Sequence, residues 1–476
     1  MALEGLVVLN VLFLVVGGGI LWGIRGWPDW GDAAALAGVA YVLGLAATTV
    51  AMTLVLIAGG GASTAAILLV MLCLAGAGAV AGGLRQRARP GLGRVWRPRT
   101  PADAAAAALA LLTAALLGVY AVQASREPLT DWDGWAFWVP KAKVIYFFGG
   151  IGTHLFRTFA APSYPLFVPT LDAMDFRFMG AADTTTLTLQ YWLLLVGFLL
   201  AAAGLLRSLA APWLVWLSAL TALVMPQLDH RLLGRLADWP LDFFFALAAL
   251  ALVRWLLRGE RWALVAAGVA LAATFATKRE GQLLGAVLVL GTLVALGLRR
   301  RRAWVPLLAT AAVAYLPDLI WRFWWTAHRL AADTPPGGIL SSPSGSGSAV
   351  SSSEHLLACL RFVGGLLFSY GLWSGAVPLG LAACAAVLLR PDRRAAILYL
   401  VTMAAGLAGW AWVNWAEKMP LTPGDALNPT DRALGSLVLL TVVMTPLFLT
   451  RVLHPERPPA AEPGAAQPVA GAVPAA

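Results

Sequence analysis

Residues 62–99 read ASTAAILLVMLCLAGAGAVAGGLRQRARPGLGRVWRPR. The first twenty-three carry no charge, and the fifteen that follow carry six arginines. A helix needs about 20 apolar residues to cross the hydrocarbon of a bilayer, so the uncharged run is long enough. Basic residues gather in cytoplasmic loops, so the arginines mark the side on which that crossing ends. One segment therefore gives both a fold class and an orientation.

The pattern repeats along the chain. Apolar runs at 3–23, 33–58, 62–83, 102–123, 185–206, 210–228, 241–257, 262–277, 282–298, 303–325, 371–390, 395–415 and 432–450 predict thirteen transmembrane helices. The expected fold is an all-α polytopic integral membrane protein. The basic clusters 85–99, 254–261, 299–302 and 390–394 then all fall on one side, the cytoplasm of a plasma (inner) membrane. The N-terminus is expected outside and the C-terminus inside. All four lysines, Lys141, Lys143, Lys278 and Lys418, fall on the outer side with most of the acids. The inner face is simply basic, which topology explains; the outer charges need another reason.

Composition agrees. The 476 residues are 60% hydrophobic and 12% charged, against about 25% charged in soluble domains. Twenty-one tryptophans suit a chain with many membrane interfaces. The net charge of +10 reflects cytoplasmic arginines and gives no reason to expect nucleic acid as a partner. Three dispersed cysteines make no disulfide framework. The N-terminus has no basic residue before its apolar run, so the first run reads as a retained helix rather than a cleaved signal. The stretch 340–354 is Ser/Gly-rich and reads as a mobile loop, and 455–476 is Pro/Ala-rich and reads as disordered.

The longest outer loop, 124–184, opens with DWDGWAFWVPKAK at 131–143. As a helix this would place Asp131, Trp135 and Trp138 on one face along the interface, with Asp133 on another, and Pro140 would end or kink it. An interfacial anchor is the plain reading. Two acids do not improve an anchor, which favours a site: a general base, or a ligand for a divalent ion such as Mg or Mn beside a phosphate.

WDGWAFWVPKAKVIYFFGG (132–150) and SYPLFVPTLDAMDFRFMG (163–180) together resemble the first outer loop of GT-C superfamily glycosyltransferases, which include protein mannosyltransferases and aminoarabinose transferases. Asp133 best matches the acid of that loop, with Asp131 second, and Tyr164-Pro165 matches its Tyr-Pro segment. The resemblance implies a polyprenyl-phosphate sugar donor used on the outer face, with interfacial helices in the loop. In many relatives the acid loop follows the first helix; here it follows the fourth. Residues 1–100 then read as a three-helix addition and 101–454 as the GT-C-like core.

Other outer charges fit the same scheme. ATKREG (276–281) separates two short apolar runs. Lys278, Arg279 and Glu280 there form either a snorkelling turn or a phosphate seat, and the resemblance places Lys278 near the donor phosphate. Asp431 reads as an N-cap of the last helix, and Arg432 behind it sits against the helix dipole, which suggests a partner such as a phosphate or Asp431 itself, a surface pair being the plain reading. In the 229–242 loop, Asp229, His230, Arg231, Arg235, Asp238 and Asp242 offer groups for a sugar or an acceptor, but most of them read as solvated. Asp318 and Arg322 have the spacing of a mutual ion pair.

The expected activity is inverting transfer of a sugar to a glycan, lipid or protein acceptor. Asp133 and Asp131 are the expected catalytic pair, or metal ligands. Lys278, Arg279 and Arg432 would seat the donor phosphate, and Trp135, Lys141, Tyr164 and Glu280 would bind substrate. The alternative is a lipid or small-solute transporter or flippase, with 262–298 as a broken helix pair. Walker A, GxGxxG, HExxH and CxxC motifs are absent from the sequence.

Overall fold

The computed structural model describes residues 2–85, 91, 100–159, 161–227, 235–330, 353–390, 392–417, 419–423 and 429–454. Asp229, His230, Arg231, Lys418, most of the 340–354 stretch and the 455–476 tail lie outside the described residues. Regular structure among the described residues is helical, with one isolated bridge between Asp29 and Gly91. The helices are α1 (Ala2–Ile24), α2 (Trp30–Ala35), α3 (Ala37–Ile57), α4 (Thr64–Leu84), α5 (Pro101–Ala124), α6 (Val139–Phe148), α7 (Thr153–Phe156), α8 (Phe167–Met179), α9 (Thr184–Leu206) and α10 (Pro212–Leu223). They continue with α11 (Asp238–Arg258), α12 (Arg261–Thr277), α13 (Glu280–Leu296), α14 (Trp304–Ala327), α15 (Ser353–Leu367), α16 (Tyr370–Trp373), α17 (Ala376–Leu388), α18 (Arg394–Ala416), α19 (Thr430–Ala433) and α20 (Gly435–Leu453).

Each of the thirteen apolar runs contains a helix. Among the described residues nine helical segments are long and apolar enough to cross a membrane; α10, α12, α13 and α17 are shorter. This is the build of a polytopic membrane protein. The sequence did not announce α8 or α15. α15 follows directly on the Ser/Gly-rich stretch and packs against α18.

α11 and α20 lie at the centre, enclosed over most of their length, whereas α4, α5 and α14 turn most of their surface outward. The outward positions are apolar, as at Leu72, Leu111, Val313 and Phe323. Apolar side chains on that surface are stable where hydrocarbon, rather than water, surrounds the helix.

Helix α1 docks through glycines. A Cβ on Gly17 would stand 1.6 Å from the Ala40 carbonyl oxygen, and one on Gly44 would stand 1.8 Å from that of Phe13. The α1–α4 crossing repeats this at Gly78, where a Cβ would meet the Gly19 carbonyl oxygen at 2.3 Å. Small residues let helix backbones meet closely, which is how helices associate where lipid supplies no hydrophobic drive. The first helices thus share one continuous apolar core with the rest of the bundle.

The bundle has two different polar ends. At one, Arg25 and Arg207 share the carboxylate of Asp32. Arg254 bonds Glu260 at 2.7 Å and donates to the carbonyls of Leu205 and Arg207. Arg85 donates to the Gly23 carbonyl at 2.6 Å, Arg394 to that of Leu256 at 2.5 Å, and Arg451 to that of Asp392 at 2.6 Å. These arginines fasten helix ends to one another, often on carbonyls left unpaired where a helix stops.

Candidate functional site

At the other end, the turn between α12 and α13 brings Lys278 inward. Its backbone is extended, which breaks the helix for two residues. The buried ammonium donates to Asp238 at 2.9 Å and to Glu280 at 3.0 Å. Both acids stand in the first turn of their helices, where the dipole favours negative charge. Burial pulls the ammonium down, but the charges of Asp238 and Glu280 outweigh it and hold Lys278 above the ordinary lysine range. Lys278 is thus the centre of an ion triad.

Arg432 reaches across to Asp133 at 2.9 Å, joining positions 299 apart in sequence. Its side-chain partner is thus the acid of the 131–143 stretch, which the sequence reading did not name for it. Asp431 is not the N-cap of the last helix. It lies inside the first turn of α19, its carboxylate accepting from the Arg432 N–H at 2.8 Å, while Pro429 holds the cap position. Thr430 is anchored by the Asn414 amide at 2.8 Å, which fixes the start of this segment on α18.

The opening stretch is helical, but not as one regular α-helix. Gly134–Trp138 forms a π-helical turn closed by the Val139 N–H on the Gly134 carbonyl. Pro140 does not end the helix: it lies in the first turn of α6, where its missing N–H matters little, and the chain stays helical to Phe148. The wider turn separates the expected Asp131, Trp135 and Trp138 face. Trp135 is 53% exposed and packs edge-to-face on Trp132, while Trp138 is 1% exposed. Only Trp132 and Trp135 remain placed to meet an interface. The charge of Asp131 is felt by Arg235.

The second quoted segment lies beside the triad. The Arg279 guanidinium donates to the Ser163 hydroxyl and sits over the Tyr164 ring at 5.0 Å from its centre. Tyr164 packs against Phe137 and Trp138. Lys141 is fully buried, donating to the Ala161 carbonyl with its ammonium 5.7 and 5.8 Å from the Phe137 and Trp138 ring centres. It ties the 161–164 turn to the aromatic cluster rather than reaching out to a ligand. Trp321 donates to the Ser163 carbonyl at 3.0 Å. The expected Asp318–Arg322 pair forms at 2.9 Å, and Gln282 also donates to Asp318 at 3.0 Å.

Asp133, Lys278, Arg279, Glu280, Arg432 and Tyr164 thus belong to one neighbourhood built from four separate segments. Arg235, Asp238 and Asp242 are buried rather than solvated; for the two acids the reason is that α11 begins at Asp238, earlier than its apolar run suggests. Asp242 accepts from the Ser436 hydroxyl. Arg235 adopts a left-handed backbone with φ of 53°, uncommon for a residue with a Cβ. Its guanidinium is held by Thr188 at 2.6 Å and the Glu127 carbonyl at 2.8 Å. Glu417, which the sequence reading passed over, is pushed up by burial and by the charge of Glu280.

A further group was missed. Asp172 and Asp175 on α8 are fully buried, and neither oxygen of Asp175 has a hydrogen-bond partner. Tyr191 donates to Asp172 at 3.3 Å. Burial pushes Asp172 up to about 7; burial and the charge of Asp172 hold Asp175 well above the usual carboxylate range. The three-residue spacing that puts both acids on one helix face was legible in LDAMDF.

Among the described residues no three or more His, Cys, Asp or Glu side chains are grouped as metal ligands. Of the expected pair, Asp133 is engaged by Arg432, and the charge of Asp131 acts on Arg235. The neighbourhood presents the guanidinium groups of Arg279 and Arg432 with the Asp133 carboxylate, while the Lys278 ammonium is taken up by its two acids. Compared with known proteins, the chain matches no family model, no curated protein and no solved structure.

Proposed function

We propose that the protein is a polytopic membrane glycosyltransferase of the GT-C kind, moving a sugar from a polyprenyl-phosphate donor to a hydroxyl acceptor. The observation that carries this reading is the Asp133–Arg432 pair beside the Lys278 triad, at the end of the bundle opposite the latched arginines. The reading takes all thirteen helices as crossings, with this end outside. In the free protein Arg432 is neutralised by Asp133. A donor phosphate arriving beside Arg432 and Arg279 competes for that guanidinium and leaves the Asp133 carboxylate open to the acceptor. Asp133 then takes the hydroxyl proton as the acceptor oxygen attacks the anomeric carbon with inversion. The bond from that carbon to the phosphate oxygen breaks, and the polyprenyl phosphate leaves with the electron pair. Fixed cations at that oxygen favour the step because charge grows there. Lys278, held by its two acids, acts here by positioning.

The test is transfer from a panel of radiolabelled polyprenyl-phosphate sugars in membranes containing the protein. Transfer from one donor that is lost in Asp133→Asn is the expected result. No transfer from any donor, with the protein folded and an acceptor extract present, removes the reading.

The second reading, a transporter or flippase, is favoured by the Asp172–Asp175 pair. Ionisable groups inside a helical bundle often belong to proton or ion pathways. It predicts uptake or lipid translocation in vesicles that stops in Asp175→Asn while Asp133→Asn has no effect.

A further inference from the structure

The arginine end contains two cavities. One has a volume of about 470 Å³ and is lined by Ile24, Arg25, Arg85, Arg261, Trp262 and Val265. The other, about 360 Å³, carries Arg258, Arg300 and Arg394 with Leu256 and Leu296. Among the described residues three guanidinium groups line each cavity, and no carboxylate does. The nearby acids are committed: Asp32 is shared by Arg25 and Arg207, and Glu260 binds Arg254 and the Trp262 indole N–H. Trp262 stands between two cations, 5.4 Å from Arg254 and 5.5 Å from Arg25. Like charges repel across such a space unless an anion joins them. The walls also carry information. Ile24 and Val265 are apolar, and Val265 is 45% exposed on the outer surface of α12. A site with cations at its head and an open apolar flank fits an amphiphile better than a free ion.

We propose that the cavity between Arg25, Arg85 and Arg261 binds the phosphodiester headgroup of an anionic phospholipid, whose acyl chain runs along Val265. The guanidinium fork matches phosphate oxygens in pairs, and basic pockets between helix ends are where such headgroups lodge. Ile24 and Val265 hold the first methylenes, and Trp262 forms the floor. This assignment does not depend on the transferase reading.

The test uses the full chain, purified, stripped of lipid and returned to nanodiscs of phosphatidylcholine with or without phosphatidylglycerol. Co-purified lipid and the thermal midpoint are both read. The wild type is expected to retain phosphatidylglycerol over phosphatidylcholine and to melt higher with it. Arg85→Gln and Arg261→Gln together are expected to cut that preference about tenfold or more, since each basic residue near a lipid surface is worth about a fivefold factor. Arg25 is left in place because its pair with Asp32 holds α1 to α2. The Lys versions of both variants keep the charge and should keep most of the preference, which separates charge loss from misfolding. Equal retention of the two lipids by the wild type overturns the proposal, as does an undiminished preference in the double Gln variant. Stabilisation by soluble glycerol phosphate as strong as that by the lipid overturns the lipid assignment and leaves a free-anion site.

Discussion

Replacing Lys278 by methionine leaves Asp238 and Glu280 in a buried place with no cation between them. Removing one partner of a buried ion cluster costs about 3–5 kcal/mol, because the stranded charge has lost its water as well as its partner. Lys278→Met is therefore expected to lower the thermal midpoint of the purified protein sharply, and adding Asp238→Asn to recover part of the loss. No drop would mean the triad is not closed in solution. Asp133 is a different case, since its pair with Arg432 is partly open to solvent. Asp133→Asn should leave folding nearly intact and reduce sugar transfer by roughly 10²–10⁴-fold, the range of a positioned base. Normal transfer by the folded variant would exclude that role. The α8 acids predict a pH dependence. The Asp172 carboxyl is pushed up to about 7 by burial, from an ordinary value of about 4, and Asp175 is held well above its ordinary value by burial and by Asp172. Tyr191 and Arg235 also act on Asp172, and Tyr41 lies within reach of Asp175. The folded state then holds protons that the unfolded chain has released, so stability is full below about pH 4 and falls as pH rises through about 7. The thermal midpoint should drop between pH 5 and pH 8, and Asp175→Asn should flatten that slope; an unchanged slope would show that other groups cause it. The sequence marked Asp133, Lys278, Arg279 and Arg432 because charge beside apolar runs is costly and so draws notice. Which of them pair depends on contacts between positions up to 299 apart, and no local pattern carries that.

Among the elements, the π-helical turn at Gly134–Trp138 is the one a regular helix would not provide. Such turns behave as one extra residue inserted in a helix and recur at functional sites. Deleting Ala136 should rewind it to α-helix and rotate Asp133 by about 100° relative to α6. With α6 held by its packing on α8, that turn carries Asp133 away from Arg432. Transfer should then fall about as far as in Asp133→Asn, while the yield of folded protein holds; full activity after the deletion would mean the turn is incidental. Apolar runs revealed the long helices because period and length suffice for them. They did not reveal the turn, since a π bulge and an α-helix share the same residues and differ only in one shifted hydrogen bond. Nor did they reveal α8, thirteen residues long with two acids, which is stable only because other helices enclose it. The glycine contacts of α1 are more easily read backward than forward: Gly17 and Gly44 are two among 48 glycines, and their purpose shows only when α3 is in place.

For the whole molecule, two exposed positions report orientation. Phe148 lies at the end of α6, on the side of the Lys278 triad, and Leu389 follows α17 on the side of the arginines; both are largely exposed, whereas neighbouring Ile145 is fully buried. In a protein otherwise free of cysteine, Phe148→Cys should react with an impermeant maleimide added outside whole cells, and Leu389→Cys only after the cells are opened. Labelling of both from the same side would overturn the thirteen-crossing arrangement. The arginine end has a mechanical consequence as well. Arg25, Arg85, Arg207, Arg254, Arg394 and Arg451 tie seven helices at one level, so the bundle is stapled like a book along its spine. A rocking cycle that opened this end would have to tear every staple on each turnover and re-form all of them. Breathing of the pages, if the molecule works by motion, belongs to the opposite edge, where Asp133 and Arg432 are joined by one partly wet contact.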